Sequence, residues 1–201
     1  MEKNKHIFGF FLKWCFDRIV SLCGLIVLFP LLLVLAILIK CDSKGPLFFM
    51  QWRIGKDGKP FRICKFRTMH REAKGDSVTT ANDPRVTRIG RWLRHSKVDC
   101  LTELVNVFIG QMSFVGPRPD VPGYADQLQG DDRRILQLRP GITGPASIKY
   151  RNEEDLLAQQ ADPKWYNDNI IWPDKVRINL DYLDHWSFFG DIKLIFMTIF
   201  H

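Results

Sequence analysis

From Ile19 to Ile39 the chain carries no charged side chain, and this run of 21 residues constrains the fold more than any other feature. A helix rising about 1.5 Å per residue is about 30 Å long over such a run, the thickness of a bilayer's hydrocarbon. Rich in Leu, Ile and Val on every side, the segment has no polar face to offer water and must be covered by lipid or protein. Pro30 lies inside it, where a missing N–H and a clash with the preceding turn kink a helix. Each half is then about 15 Å long, enough to enter half a bilayer and return. Lys13 and Arg18 precede the run and Lys40 and Lys44 follow it, so the positive-inside rule does not assign the flanks to opposite sides. A re-entrant hairpin with both ends cytoplasmic and a kinked spanning helix both fit, since spanning helices tolerate proline. A cleaved secretory signal does not fit, because Lys40-Cys41-Asp42-Ser43-Lys44 offers no small-residue cleavage site.

The charge lies almost wholly outside this run. With 29 Lys+Arg against 22 Asp+Glu the net charge is +7, which implies an anionic partner: nucleic acid, anionic lipid or a phosphorylated small molecule. The apolar run favours the last two. Five scattered cysteines, without a C-x-x-C pair or a Cys/His cluster, indicate neither a disulfide framework nor a structural zinc. The pattern predicts an N-terminal anchor over residues 1–40 and one domain over 41–201.

That domain reads as α+β and mainly helical. Phe48, Met50, Trp52 and Ile54 alternate, Asp57-Gly58 supplies a tight turn, and Phe61 and Ile63 alternate on the return, which predicts a β-hairpin. A polar loop from Arg71 to Asp83 follows. Val86, Ile89 and Leu93 then recur at helical spacing with Arg85, Arg88, Arg91 and Arg94 on another face, the pattern of a basic helix lying on an anionic membrane surface. Ser96 reads as the start of a further helix with an apolar stripe of Val98, Leu101, Leu104, Val105 and Phe108. Asp99, Thr102, Glu103 and Asn106 share its polar side. Asp99 fits two roles: the acid of an S-x-x-[DE] capping box, or a carboxylate beside Arg94 where a phosphate is held.

Two rigid turns, Gly116-Pro117-Arg118-Pro119 and Arg139-Pro140-Gly141-Ile142-Thr143-Gly144, each present a guanidinium suited to bidentate phosphate contact. Glu153 to Gln160 reads as an exposed helix. The tail from Leu180 to Phe200 is dense in aromatics, which suits core packing or an interfacial helix. No P-loop, dinucleotide fingerprint or H-E-x-x-H motif is present.

Six blocks in order carry a resemblance. They are Gly45-Pro46-Leu47-Phe48-Phe49-Met50-Gln51, Lys65-Phe66-Arg67-Thr68-Met69, Arg85-Val86-Thr87-Arg88-Ile89-Gly90-Arg91, Asn106-Val107, Met112-Ser113-Phe114-Val115-Gly116-Pro117-Arg118-Pro119, and Arg139 to Gly144. With the anchor, they make the chain resemble the bacterial sugar transferases, the monotopic phosphoglycosyl transferases, in the small form that holds only the catalytic domain and its membrane hairpin. The resemblance implies a re-entrant helix broken at Pro30, amphipathic interfacial helices around the site, and a body on the cytoplasmic face of the bacterial inner membrane. It also implies a reaction. Asp99 attacks the β-phosphate of a UDP-sugar, releases UMP, and passes the sugar phosphate to undecaprenyl phosphate, with Mg2+ as cofactor and Asp99 among its ligands. Such products start capsule, exopolysaccharide or O-antigen assembly. The chemistry agrees with the residues, because a carboxylate can attack phosphorus where cations neutralise the electrophile. Arg94 and Arg118 match positions associated with phosphate, and Lys65 matches a polar position near the active site. Asp191 matches a recurrent tail acid, and Arg67 and Arg139 complete the basic residues of the motifs.

Three positions depart from the family's pattern. Cys100 stands where a Glu usually follows the nucleophile, and a thiol with pKa about 8.5 cannot replace that charge at pH 7. Phe29 precedes Pro30 where Ser is common, and Asn179 stands where many relatives carry Asp. The departure at Cys100 keeps a second hypothesis open, a catalytically impaired membrane scaffold or regulator of the same fold. A nucleic-acid-binding role is disfavoured, since the aromatics cluster near the anchor and tail and not among the arginines. The expected partners are the UDP-sugar, undecaprenyl phosphate and membrane lipid, without nucleic acid; the apolar hairpin also suits a homodimer.

Overall fold

The computed structural model describes residues 2–70 and 83–200. The loop expected from Arg71 falls, up to its last residue Asp83, outside the described residues.

A single helix, α1 (Glu2–Asp42), carries the apolar run, and over Gly9–Asp42 it is long and apolar enough to cross a bilayer. It continues through Pro30, so the proline removes one backbone donor without ending the helix. Ile26, Val27, Phe29, Leu33 and Val34 leave most of their surface uncovered by protein. Both ends, in contrast, are held by the body. Lys13 Nζ donates to the Val115 carbonyl at 2.8 Å and Asp17 accepts from the Phe114 N–H at 3.2 Å. At the other end Leu35 and Ile39 are buried against Phe66 and Leu93.

The expected hairpin forms: β1 (Phe48–Ile54) pairs antiparallel with β2 (Pro60–Phe66), Phe48 opposite Phe66 and Ile54 opposite Pro60. Asp57 adopts the left-handed conformation (φ 58°) in the turn, which Asp tolerates through its short polar side chain. The β2 positions Phe61 and Ile63 are buried with Val107 and Met112, whereas Phe48, Met50 and Trp52 of β1 are exposed. The next helix, α2 (Arg88–His95), is shorter than its arginine spacing suggests. Thr87 caps it by accepting from Gly90 N–H at 2.9 Å, and Asp42 accepts from Ile89 N–H at 3.0 Å. Arg85 therefore precedes the helix, paired with Asp83, and only Arg88, Arg91 and Arg94 of the basic set lie on it.

Ser96 does not open a helix. It ends α2, its hydroxyl donating to the Trp92 carbonyl at 2.8 Å, and Lys97 turns the chain through a left-handed conformation (φ 55°). A tight 3-10 turn over Val98–Thr102 follows, then α3 (Glu103–Ile109). The capping-box role for Asp99 fails here, because the serine hydroxyl it requires is turned back to α2.

The two rigid turns meet. β3 (Ser113–Val115) pairs parallel with β4 (Gly141–Thr143), bringing the Arg118 turn against the Arg139 turn. The approach demands glycine: a Cβ on Gly116 would stand 2.2 Å from the Arg139 carbonyl oxygen, and one on Gly141 would stand 2.1 Å from the Gly116 nitrogen. Short helices α4 (Pro145–Lys149), α5 (Glu153–Ala158) and α6 (Pro163–Tyr166) lead to α7 (Trp172–Asp184) and α8 (Phe188–Phe200). Val176 of α7 packs with Ile54, Ala125, Ile135 and Leu136. On α8 one face is buried through Asp191, while Phe189, Phe196, Ile199 and Phe200 are exposed, so the aromatic tail divides between core and surface.

Candidate active site

The site is built where the end of β2 meets the 3-10 turn before α3. The free edge of β2 is closed by a side chain. Asn106 accepts from the Cys64 N–H at 3.0 Å and donates to the Arg62 carbonyl at 2.8 Å, so its carboxamide does the work of a neighbouring peptide. Four residues earlier, the Thr102 hydroxyl lies 2.8 Å from the Cys64 carbonyl and 3.2 Å from that of Asp99. Strand and turn are thus clamped together, and the next residue of the strand, Lys65, is directed at the turn.

Lys65 Nζ lies 3.5 Å from Cys100 Sγ and 3.1 Å from Glu103 Oε1. Asp99 is buried, and its contact in this cluster is the Cys100 thiol, 3.9 Å from Oδ1, too far for more than a weak interaction. Burial pushes the Cys100 thiol up to about 12, with the Glu103 carboxylate adding to the rise. The thiol is therefore neutral at pH 7. Burial acts to lower the pKa of Lys65, but the Cys100 sulfur and the Glu103 carboxylate outweigh it and the net shift is upward. Since the sulfur carries no charge at pH 7, Glu103 is the anion that holds this ammonium.

Arg118 is exposed and close enough to influence Lys65, Cys100, Arg53 and Asp120 electrostatically. Arg53 donates to the Pro119 carbonyl at 3.1 Å, fixing that turn from β1, and its Nε is buried without a partner. The cluster accordingly holds Asp99, Cys100, Lys65 and Arg118, with Glu103, Arg53 and Asp120 beside them. The last three are absent from the residues selected on sequence. Glu103 could have been found from its place four residues after Asp99 on the polar side; Arg53 and Asp120 carried no signal beyond neighbouring the motifs.

The other selected residues lie in different surroundings. Arg94 donates to the Thr68 hydroxyl at 3.0 Å. Arg67 is buried at the junction with α1, where Nη2 donates to the Ser43 carbonyl and hydroxyl at 2.7 and 2.9 Å while Nε and Nη1 have no partner among the described residues. Arg139 is lowered by burial, and the charges that act on it are Asp17 and Arg18 of α1, not the Asp99 cluster. Asp191 is 3% exposed and accepts from Lys13 Nζ, Tyr182 hydroxyl and Trp186 Nε1, a set that ties α1 to α7 and α8. Geometrically, Asp191 supports the anchor.

Comparison with known proteins agrees with the motifs. Residues 8–201 match the family model described as bacterial sugar transferase. The chain is 40% identical over 191 residues to a UDP-glucose:undecaprenyl-phosphate glucose-1-phosphate transferase of Klebsiella pneumoniae, covering 92% of this chain and 38% of that protein. It is 36% identical over 199 residues to the Escherichia coli protein of the same name, covering 94% and 39%. It therefore spans about two fifths of the length of these relatives. The exopolysaccharide production protein PSS of Rhizobium leguminosarum is 37% identical over 198 residues, with 94% of this chain and 93% of that protein covered. On this evidence the chain belongs to the bacterial sugar transferase family.

Proposed function

We propose that the chain transfers a sugar-1-phosphate from a UDP-sugar to undecaprenyl phosphate through a covalent intermediate on Asp99. The observation that carries this reading is a buried carboxylate that, among the described residues, is bonded to no cation, standing within a cluster that holds Lys65 and Arg118. A carboxylate already paired with Lys or Arg is a poor nucleophile; one left unpaired beside cations suits attack on an anionic phosphate. In the first step an Asp99 oxygen forms a bond to the β-phosphorus as the bond from that phosphorus to the bridging oxygen breaks, and UMP leaves. In the second an oxygen of the polyprenyl phosphate attacks the same phosphorus, and the Asp99 carboxylate is released. Lys65 and Arg118 offset the charge of the pyrophosphate throughout.

Magnesium fits the oxygen donors of Asp99 together with substrate phosphates, while the Cys100 sulfur is a soft ligand unsuited to it. When bound, the ion would neutralise pyrophosphate charge. A membrane seat is supported by the exposed apolar middle of α1. Both ends of that helix contact one polar body, through Lys13 and Asp17 at one end and Asp42 at the other. This arrangement suits a re-entrant helix with the body on the cytoplasmic side.

The test is UMP release by the purified chain with magnesium, undecaprenyl phosphate and a panel of UDP-sugars, beside Asp99→Asn. Release from one or two donors, reduced about 1,000-fold or more in Asp99→Asn, is expected. Silence across the panel, or full release by the variant, refutes the reading.

A further inference from the structure

Beside Asp99 and Cys100 the site holds a second buried carboxylate. Glu103 is 4% exposed and its side chain is held by Lys65 at 3.1 Å, while the same ammonium reaches Cys100 Sγ at 3.5 Å. One cation therefore touches both the residue next to Asp99 and a buried carboxylate one turn further on. We infer that Glu103 is the positioning residue of this site, its buried carboxylate holding Lys65 toward Asp99 from the first residue of α3. The inference rests on the function proposed above.

Two features support it beyond proximity. A buried glutamate is costly unless its charge is used, and among the described residues its one ion-pair partner is Lys65. Arg53, whose Nε is buried without a partner among the described residues, also feels the Glu103 charge, so the acid acts on a cation of each strand of the hairpin.

Moving the carboxylate back provides the experiment. Glu103→Gln keeps the shape and removes the charge. It should lower kcat for UMP release at least about 30-fold with a smaller change in donor KM. Adding Cys100→Glu to that variant should bring kcat back to within about fivefold of the parent, because Lys65 reaches position 100. Cys100→Glu alone should give no comparable gain, since the site already holds its second acid. An activity-independent readout is the reactivity of Lys65 toward acetic anhydride, followed by peptide mass spectrometry on the folded protein. It should rise in Glu103→Gln and fall again in the double variant, whether or not any donor is turned over. Parental kcat in Glu103→Gln, failure of the double variant to recover, or unchanged Lys65 labelling would each overturn the inference. Absence of UMP release in the parent would instead strike the proposed function, leaving the labelling to decide on Glu103.

Discussion

Two buried acids, Asp191 and Asp99, sit in clusters that contain one lysine each and differ in how fully they are satisfied. Asp191 receives three donors, from Lys13, Tyr182 and Trp186, which come from α1, α7 and the turn before α8. In the second cluster the lysine is engaged by Glu103, and among the described residues Asp99 has a neighbouring thiol in place of a cation. A carboxylate with every strong acceptor position used is fixed in place, and its charge serves the fold. A buried carboxylate whose acceptor positions are left open costs stability, and that cost is retained where the group has work to do.

The contrast predicts opposite signatures for the same chemical change. Asp191→Asn removes the charge facing a buried ammonium and should cost about 3–5 kcal/mol, seen as a large fall in melting temperature. UMP release per folded molecule should change little. Asp99→Asn should show the reverse, a rate loss with a melting temperature at or above that of the parent. If Asp191→Asn folds normally but loses activity, the division between the two acids is broken.

A smaller effect separates the two arginine turns. Arg118 acts on Lys65 and Cys100, whereas the charges that act on Arg139 are those of Asp17 and Arg18. Arg118→Gln should raise donor KM or lower kcat by about 10- to 100-fold, and Arg139→Gln should change either by less than about threefold. Equal losses would show that Arg139 reaches the substrate after all.

Legibility from sequence follows the same division. The hairpin was readable because period-two alternation and Asp57-Gly58 are local signals, and the structure places that turn where they put it. Asp99, Lys65 and Arg118 were readable through motifs, which record chemistry. The turn holding Asp99 was not, because Lys97 enters the left-handed region with nothing in its type to announce it. The role of Asp191 was also hidden, since its lysine lies 178 residues away and no local pattern encodes such a pairing. Glu103 looked like one more polar residue on a helix face, and only its burial against Lys65 gives it meaning.

The sharpest test of charge near the site concerns Asp120. Burial raises its carboxyl to about 6, against the opposing pull of Lys175, Arg118 and Arg53, with Glu153 adding to the rise. An unfolded aspartate titrates near 3.9, so between about pH 4 and pH 6 the folded chain binds the extra proton. This group therefore favours folding as pH falls through 6 and opposes it as pH rises, by an amount of order 2–3 kcal/mol for a shift of about two units. Asp83 acts in the other direction: its hydrogen bonds to Arg85 lower it to about 2, so its contribution is present above about pH 4 and is lost only in stronger acid. Total stability mixes these signs, but the difference between the parent and Asp120→Asn isolates one of them. The variant should match the parent near pH 4 and exceed it increasingly up to about pH 7, in denaturant melts at fixed ionic strength. A difference that stays flat with pH would mean that the cations around Asp120 fully compensate its burial. Arg118 would then be committed to Asp120 instead of being available to a phosphate.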